Sequence, residues 1–165
     1  MTSTPTGRGP FAHSATRAFW MPWAPALGVA GGLLQALPIR AGFDCCCMPW
    51  AAIAGAIATF AIVQKASARM EPAEGALVGL ITGSVAGLVG GVVAALREML
   101  FASGGLIAPL LSNDVELTSS DVLRFVWAGA ATFFAYLALS PALGAIGGAV
   151  GAAIAKPSPS PPPPA

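Results

Sequence analysis

Four apolar runs, nearly free of charge, make up most of the chain between residues 19 and 155. The first covers residues 19–37 and stops at Pro38 and Arg40. Trp20 and Trp23 open it, where aromatic rings suit the level of lipid headgroups. Pro22 and Pro25 are expected in its opening turn, where backbone N–H groups have no intrahelical partner anyway. The second run, 49–64, starts on a proline suited to the first helical position, follows with Trp50, and closes at Lys65 and Arg69. It is short, and residues 46–48 are expected to be drawn into the membrane edge. The third, 74–96, has no charge after Glu74 until Arg97. Glu74 sits well at a helix N-terminus, where the backbone dipole favours an anion.

A helix needs about 20 mainly apolar residues to span a bilayer. The fourth run, 122–155, exceeds this. It is apolar apart from Arg124, and at about 1.5 Å per residue it would make roughly 50 Å of helix, against a hydrocarbon core of about 30 Å. Pro141 divides it. Two readings follow: one long kinked helix, or a span over 122–139 and a shorter helix over 142–155. Both place a break near 141, and neither makes a fifth crossing. Residues 99–111, interrupted by Gly104, Gly105 and Pro109, are too short to cross and are expected at the interface or as a re-entrant piece. Ser119, Ser120 and Asp121 supply N-cap candidates for the last helix.

The predicted fold is therefore an all-α transmembrane bundle of four spans, over 19–37, 49–64, 74–96 and 122–155. Residues 1–18 read as a disordered arm, and residues 156–165, rich in proline, as an extended tail that cannot form helix. A secretory signal is the rival reading of residues 1–36, but no small-residue cleavage site is evident and Pro22 and Pro25 interrupt its apolar stretch.

Composition agrees with lipid as the main solvent. Of 165 residues, 56% are hydrophobic and 9% charged, where a soluble domain carries roughly 25% charge. A net charge of +1 gives no basic stripe for nucleic acid. With four spans, Arg8, Arg17, Lys65, Arg69 and Lys156 share one side. Arg40, Arg97 and Arg124 take the other, with Asp44, Glu98, Asp114, Glu116 and Asp121. The positive-inside rule then puts both termini in the cytoplasm, and the expected location is a bacterial inner membrane.

Glycine spacing carries the strongest packing signal. Gly75, Gly79, Gly83, Gly87 and Gly91 recur every four residues along the third run. Overlapping GxxxG units let two helix backbones approach closely and favour right-handed crossings near −40°. Gly28 and Gly32 form a shorter stripe on the first run, and Gly144 and Gly148, overlapped by Gly147 and Gly151, one after Pro141. These faces suit packing within the chain. A homo-oligomer, or a channel built through the same faces, is the alternative.

Candidate chemistry is sparse. Cys45, Cys46 and Cys47 lie between the first two runs and are the three cysteines of the chain. Adjacent Cα atoms about 3.8 Å apart strain a disulfide, an odd count leaves at least one thiol free or paired with another chain, and consecutive residues do not readily wrap one zinc ion. They are weak metal candidates; a thiol sensor is a further reading. The single histidine, His13, falls on the opposite side. No acid, base or nucleophile sits mid-span: the span centres offer Gln35, Thr59, Thr82, Ser84, Thr132, Tyr136 and Ser140, which ordinarily serve as hydrogen-bond partners between helices. No catalytic residue and no cofactor is predicted, and the expected partners are the bilayer and either further copies or a larger membrane complex.

The cysteine-rich turn with Trp50, and Glu74-Gly75-Ala76-Leu77 at the head of the glycine-rich run, resemble elements of a group of small bacterial multi-pass membrane proteins with a domain of unknown function. The resemblance covers roughly residues 26–155. It implies membrane location and topology, and no catalytic residues. The proline tail and tryptophan-rich start depart from that pattern. The function expected is that of a non-enzymatic packing or accessory subunit, with a small channel or transporter as alternative, favoured by the broken 99–111 stretch and by Pro141.

Overall fold

The computed structural model describes residues 14–36, 49–66, 70–101, 107 and 118–155. These form four long helices, α1 (Ser14–Ala36), α2 (Pro49–Ala66), α3 (Pro72–Phe101) and α4 (Ser119–Ile154), with no strand among the described residues. Each helix falls on one apolar run. Cys45–Cys47, His13, the tail 156–165 and most of 99–111 lie outside the described residues.

Several boundaries differ from the sequence reading, among them the end of α3, which runs on past Leu96 to Phe101 and takes in the first residues of the 99–111 stretch. The arm expected over 1–18 is helical from Ser14 onward, because Ala15, Arg17 and Ala18 favour helix and let α1 begin a turn early. Pro22 and Pro25 consequently sit inside α1 instead of in its first turn. Each withholds one N–H and leaves a carbonyl four residues back without its usual donor. Of the two readings of 122–155, the single long helix is the one the structure takes, and no separate helix over 142–155 forms. α4 runs through Pro141 for 36 residues, and the segment is held where Gly83 of α3 meets Ser140, Pro141 and Gly144. The N-cap of α4 is Thr118, one residue before the predicted candidates, and Asp121 accepts the Thr118 backbone N–H at 3.3 Å.

The start of α3 follows the expected chemistry. Pro72 needs no donor at the first helical position, and the Glu74 carboxylate accepts the Glu71 backbone N–H at 3.3 Å.

Around the bundle the order is α1, α3, α4, α2. The α3–α4 interface is the most extensive; α2 also touches α3, whereas α1 and α4 lie across the diagonal without backbone contact. Direction follows from which residues meet. Gly75 faces Gly148 while Gly91 faces Phe133, so α3 and α4 are antiparallel. Gly31 meets Ala54, and the Lys65 ammonium lies 4.1 Å from the Trp23 ring centroid, so α1 and α2 are antiparallel. Gly28 meets Thr82 and Gly32 meets Ala86, which makes α1 and α3 parallel. The chain thus runs up, down, up, down. α3 and α4 are each long and apolar enough to cross a membrane.

Candidate helix-packing site and buried polar layer

Small residues fill the interior. Among the described residues the buried apolar side chains are Ala24, Ala51, Ala54, Ala58, Ala86, Ala94, Ala152, Ile62, Val63 and Val78, with no leucine or aromatic. Large apolar side chains point outward on every helix: Leu33 on α1, Ile57 on α2, Leu88 on α3, and Trp127, Phe134 and Ile146 on α4 are all at least half exposed. A water-soluble fold arranges size the other way, with Leu, Ile and Phe inside. The most apolar segments of α3 and α4 are only 44% and 33% buried.

Backbone closeness explains the small interior. A Cβ added at Gly79 would collide with the Gly144 carbonyl, one at Gly83 with the Ser140 carbonyl, and one at Gly148 with the Gly75 carbonyl. Contacts under 3.0 Å to a Cβ essentially do not occur, and backbone cannot swing aside as a flexible side chain can. Gly87 lies against Tyr136 and Ser140, and Gly91 against Phe133 and Tyr136, so all five glycines of the α3 stripe face α4. Gly28 and Gly32 face α3 at Thr82, Val85 and Ala86. Gly144 is shared: it receives α3 at Gly79 and Gly83 and α2 at Gly55.

Several close-approach positions escaped the spacing rule. Gly55 and Gly129 have no glycine four residues away, and Gly31 and Gly90 sit beside stripe members on neighbouring faces. Gly129 packs on Met99, and Gly90 on Gly32 and Gln35. The signal that marks them is thermodynamic: glycine inside a helix costs about 1 kcal/mol relative to alanine, so its presence implies a packing reason.

Among the described residues the buried polar side chains are Gln35, Thr59, Thr82 and Ser140. Thr82 donates to the Val78 carbonyl at 2.9 Å within its own helix. Thr59 donates to the Gly55 carbonyl at 3.0 Å, with the Gly75 carbonyl of α3 at 3.5 Å as a second acceptor, which ties α2 to α3. Ser140 reaches Gln35 Oε1 across the bundle at 3.5 Å. Described charged residues keep to the helix ends: Arg17, Lys65, Glu71, Glu74, Arg97, Glu98, Asp121 and Arg124. None of the described residues forms a cluster of three His, Cys, Asp or Glu able to hold a metal.

A groove of about 250 Å³ runs between α2 and α4, lined by Ala56, Ile57, Phe60, Val150, Gly151 and Ile154. With no polar lining it offers a solute neither orientation nor charge recognition.

Comparison with protein-family models, with curated proteins and with solved structures finds no match for this chain.

Proposed function

We propose that the chain is an integral membrane protein that crosses the bilayer four times, packs its own helices through GxxxG faces, and serves as a non-enzymatic assembly or accessory subunit. The observation that carries this reading is the inverted distribution of size among the described residues: apart from Ile62, the buried apolar side chains are Ala and Val, while Leu, Phe or Trp stands outward on each of the four helices. In hydrocarbon the exterior costs nothing, and close backbone packing with interhelical hydrogen bonds holds the helices together. The charge pattern supports the same solvent. From Gly75 to Leu96 α3 is uncharged, which gives roughly 33 Å of helix for a core of about 30 Å. Kinship with small bacterial multi-pass proteins, carried by the 45–50 turn and Glu74-Gly75-Ala76-Leu77, belongs to this proposal, as does a bacterial inner membrane with both termini in the cytoplasm.

The chain's own cysteines test the topology. An impermeant maleimide should label Cys45–Cys47 from the periplasmic face of intact cells and not in sealed inverted vesicles; the opposite result rejects the orientation. Release of the chain from membranes by alkaline carbonate would reject membrane integration altogether. Assembly is tested by gentle detergent purification with native mass spectrometry. A complex containing further subunits is expected, and a lone monomer would overturn the subunit reading.

A further inference from the structure

Gln35 is the odd member of the buried layer. It is 2% exposed, and its Nε2, which carries two N–H donors, has no hydrogen-bond partner. Its Oε1 receives the Ser140 hydroxyl at 3.5 Å, the outer limit of a hydrogen bond. Exchanging the amide oxygen and nitrogen leaves one end unpaired in either orientation, since Ser140 serves only one of them. Buried polar groups are almost always paired with protein or with ordered water.

The neighbouring turn of α4 is short of one backbone donor. Pro141 has no N–H, so the Leu137 carbonyl, which points along α4 toward residue 141, has no backbone donor there. Ser140 stands beside Pro141 and touches Gln35. Gln35 of α1 and the proline-interrupted turn of α4 thus come together at the Ser140 hydroxyl, in the diagonal of the bundle where the two backbones do not meet.

We propose that this layer is a binding site for a single ordered water, which accepts from Gln35 Nε2, donates to the Leu137 carbonyl and takes Ser140 Oγ as its third partner. Three bonds are typical of a buried water, and a water held beside the long Ser140–Gln35 contact is enthalpically nearly as good a partner as a direct hydrogen bond. The water ties α1 to the middle of α4, a helix pair otherwise linked by the Gln35–Ser140 contact, and gives the proline-interrupted turn a fixed partner.

The test is a double-mutant cycle on the full chain in mild detergent, read as Tm. Gln35→Leu should lower Tm by several degrees in the native background. Pro141→Ala supplies the Leu137 carbonyl with a backbone donor, so in that background Gln35→Leu should have less than half the effect or the opposite sign. The same Gln35→Leu shift in both backgrounds overturns the proposal. Should a variant fail to fold, the native protein decides: a density map that resolves ordered water should show a peak within hydrogen-bond reach of Gln35 Nε2 and the Leu137 carbonyl. Dry, continuous packing there would refute the site.

Discussion

Glycine at position 144 has little freedom to change. A Cβ there meets the Gly79 carbonyl and the Gly83 backbone, and neither can rotate away. Gly144→Ala must therefore push α3 from α4, with an expected loss of about 1–3 kcal/mol, the usual cost of overpacking. Ala138→Leu, on the exposed side of the same helix, should change stability by less than about 0.5 kcal/mol. The midpoints of SDS titrations of the two variants in mild detergent check the contrast, and equal shifts would contradict the packing described. Thr59→Val removes the hydroxyl that links the Gly55 and Gly75 carbonyls. The same titration should show a small loss, about 0.6 kcal/mol, typical of one interhelical hydrogen bond in a membrane. At this scale the stripe on α3 was readable from its period, whereas Gly55 and Gly129 were not. A lone glycine carries no spacing, and only the approach of another helix gives it a reason.

Helix identity was legible because each run is bounded by residues that act locally. Pro72 with Glu74 starts α3, and Thr118 with Asp121 starts α4. Thr118→Ala should cost about 1 kcal/mol. Hydrogen exchange should rise in the first turn of α4 and stay unchanged near Gly144; a change that reached Gly144 would mean the cap governs more than its own end. The fate of Pro141 was not legible. One missing hydrogen bond can end a helix or be absorbed, and contacts from α3 at Gly83 decide which. The same holds for Pro22 and Pro25, whose position in α1 depends on a start at Ser14 that no strong boundary residue announces.

For the molecule as a whole, the size inversion makes a prediction that separates lipid from water as solvent. Leu88 lies near the middle of α3, on its outer face, and is 51% exposed. Leu88→Lys should disfavour membrane insertion by about 2.5–3.5 kcal/mol, measurable as lost integration in a translocon assay. In a water-soluble bundle the same exposed lysine would be tolerated and would improve solubility. Four successive crossings must alternate in direction, but the ring order α1, α3, α4, α2 was not readable from the sequence. Every helix is apolar on all sides, so no amphipathic face points to a particular neighbour.

Sequence alone determined the four helices, the Glu74 carboxylate at the head of α3 and the glycine stripe along it, because these depend on composition and spacing within one segment. Tertiary structure decided which helix each stripe meets, that α4 continues through Pro141, and that Gln35 and Ser140 share a layer. Those outcomes depend on contacts between residues as far as 105 positions apart, and no local pattern encodes which distant backbone will arrive.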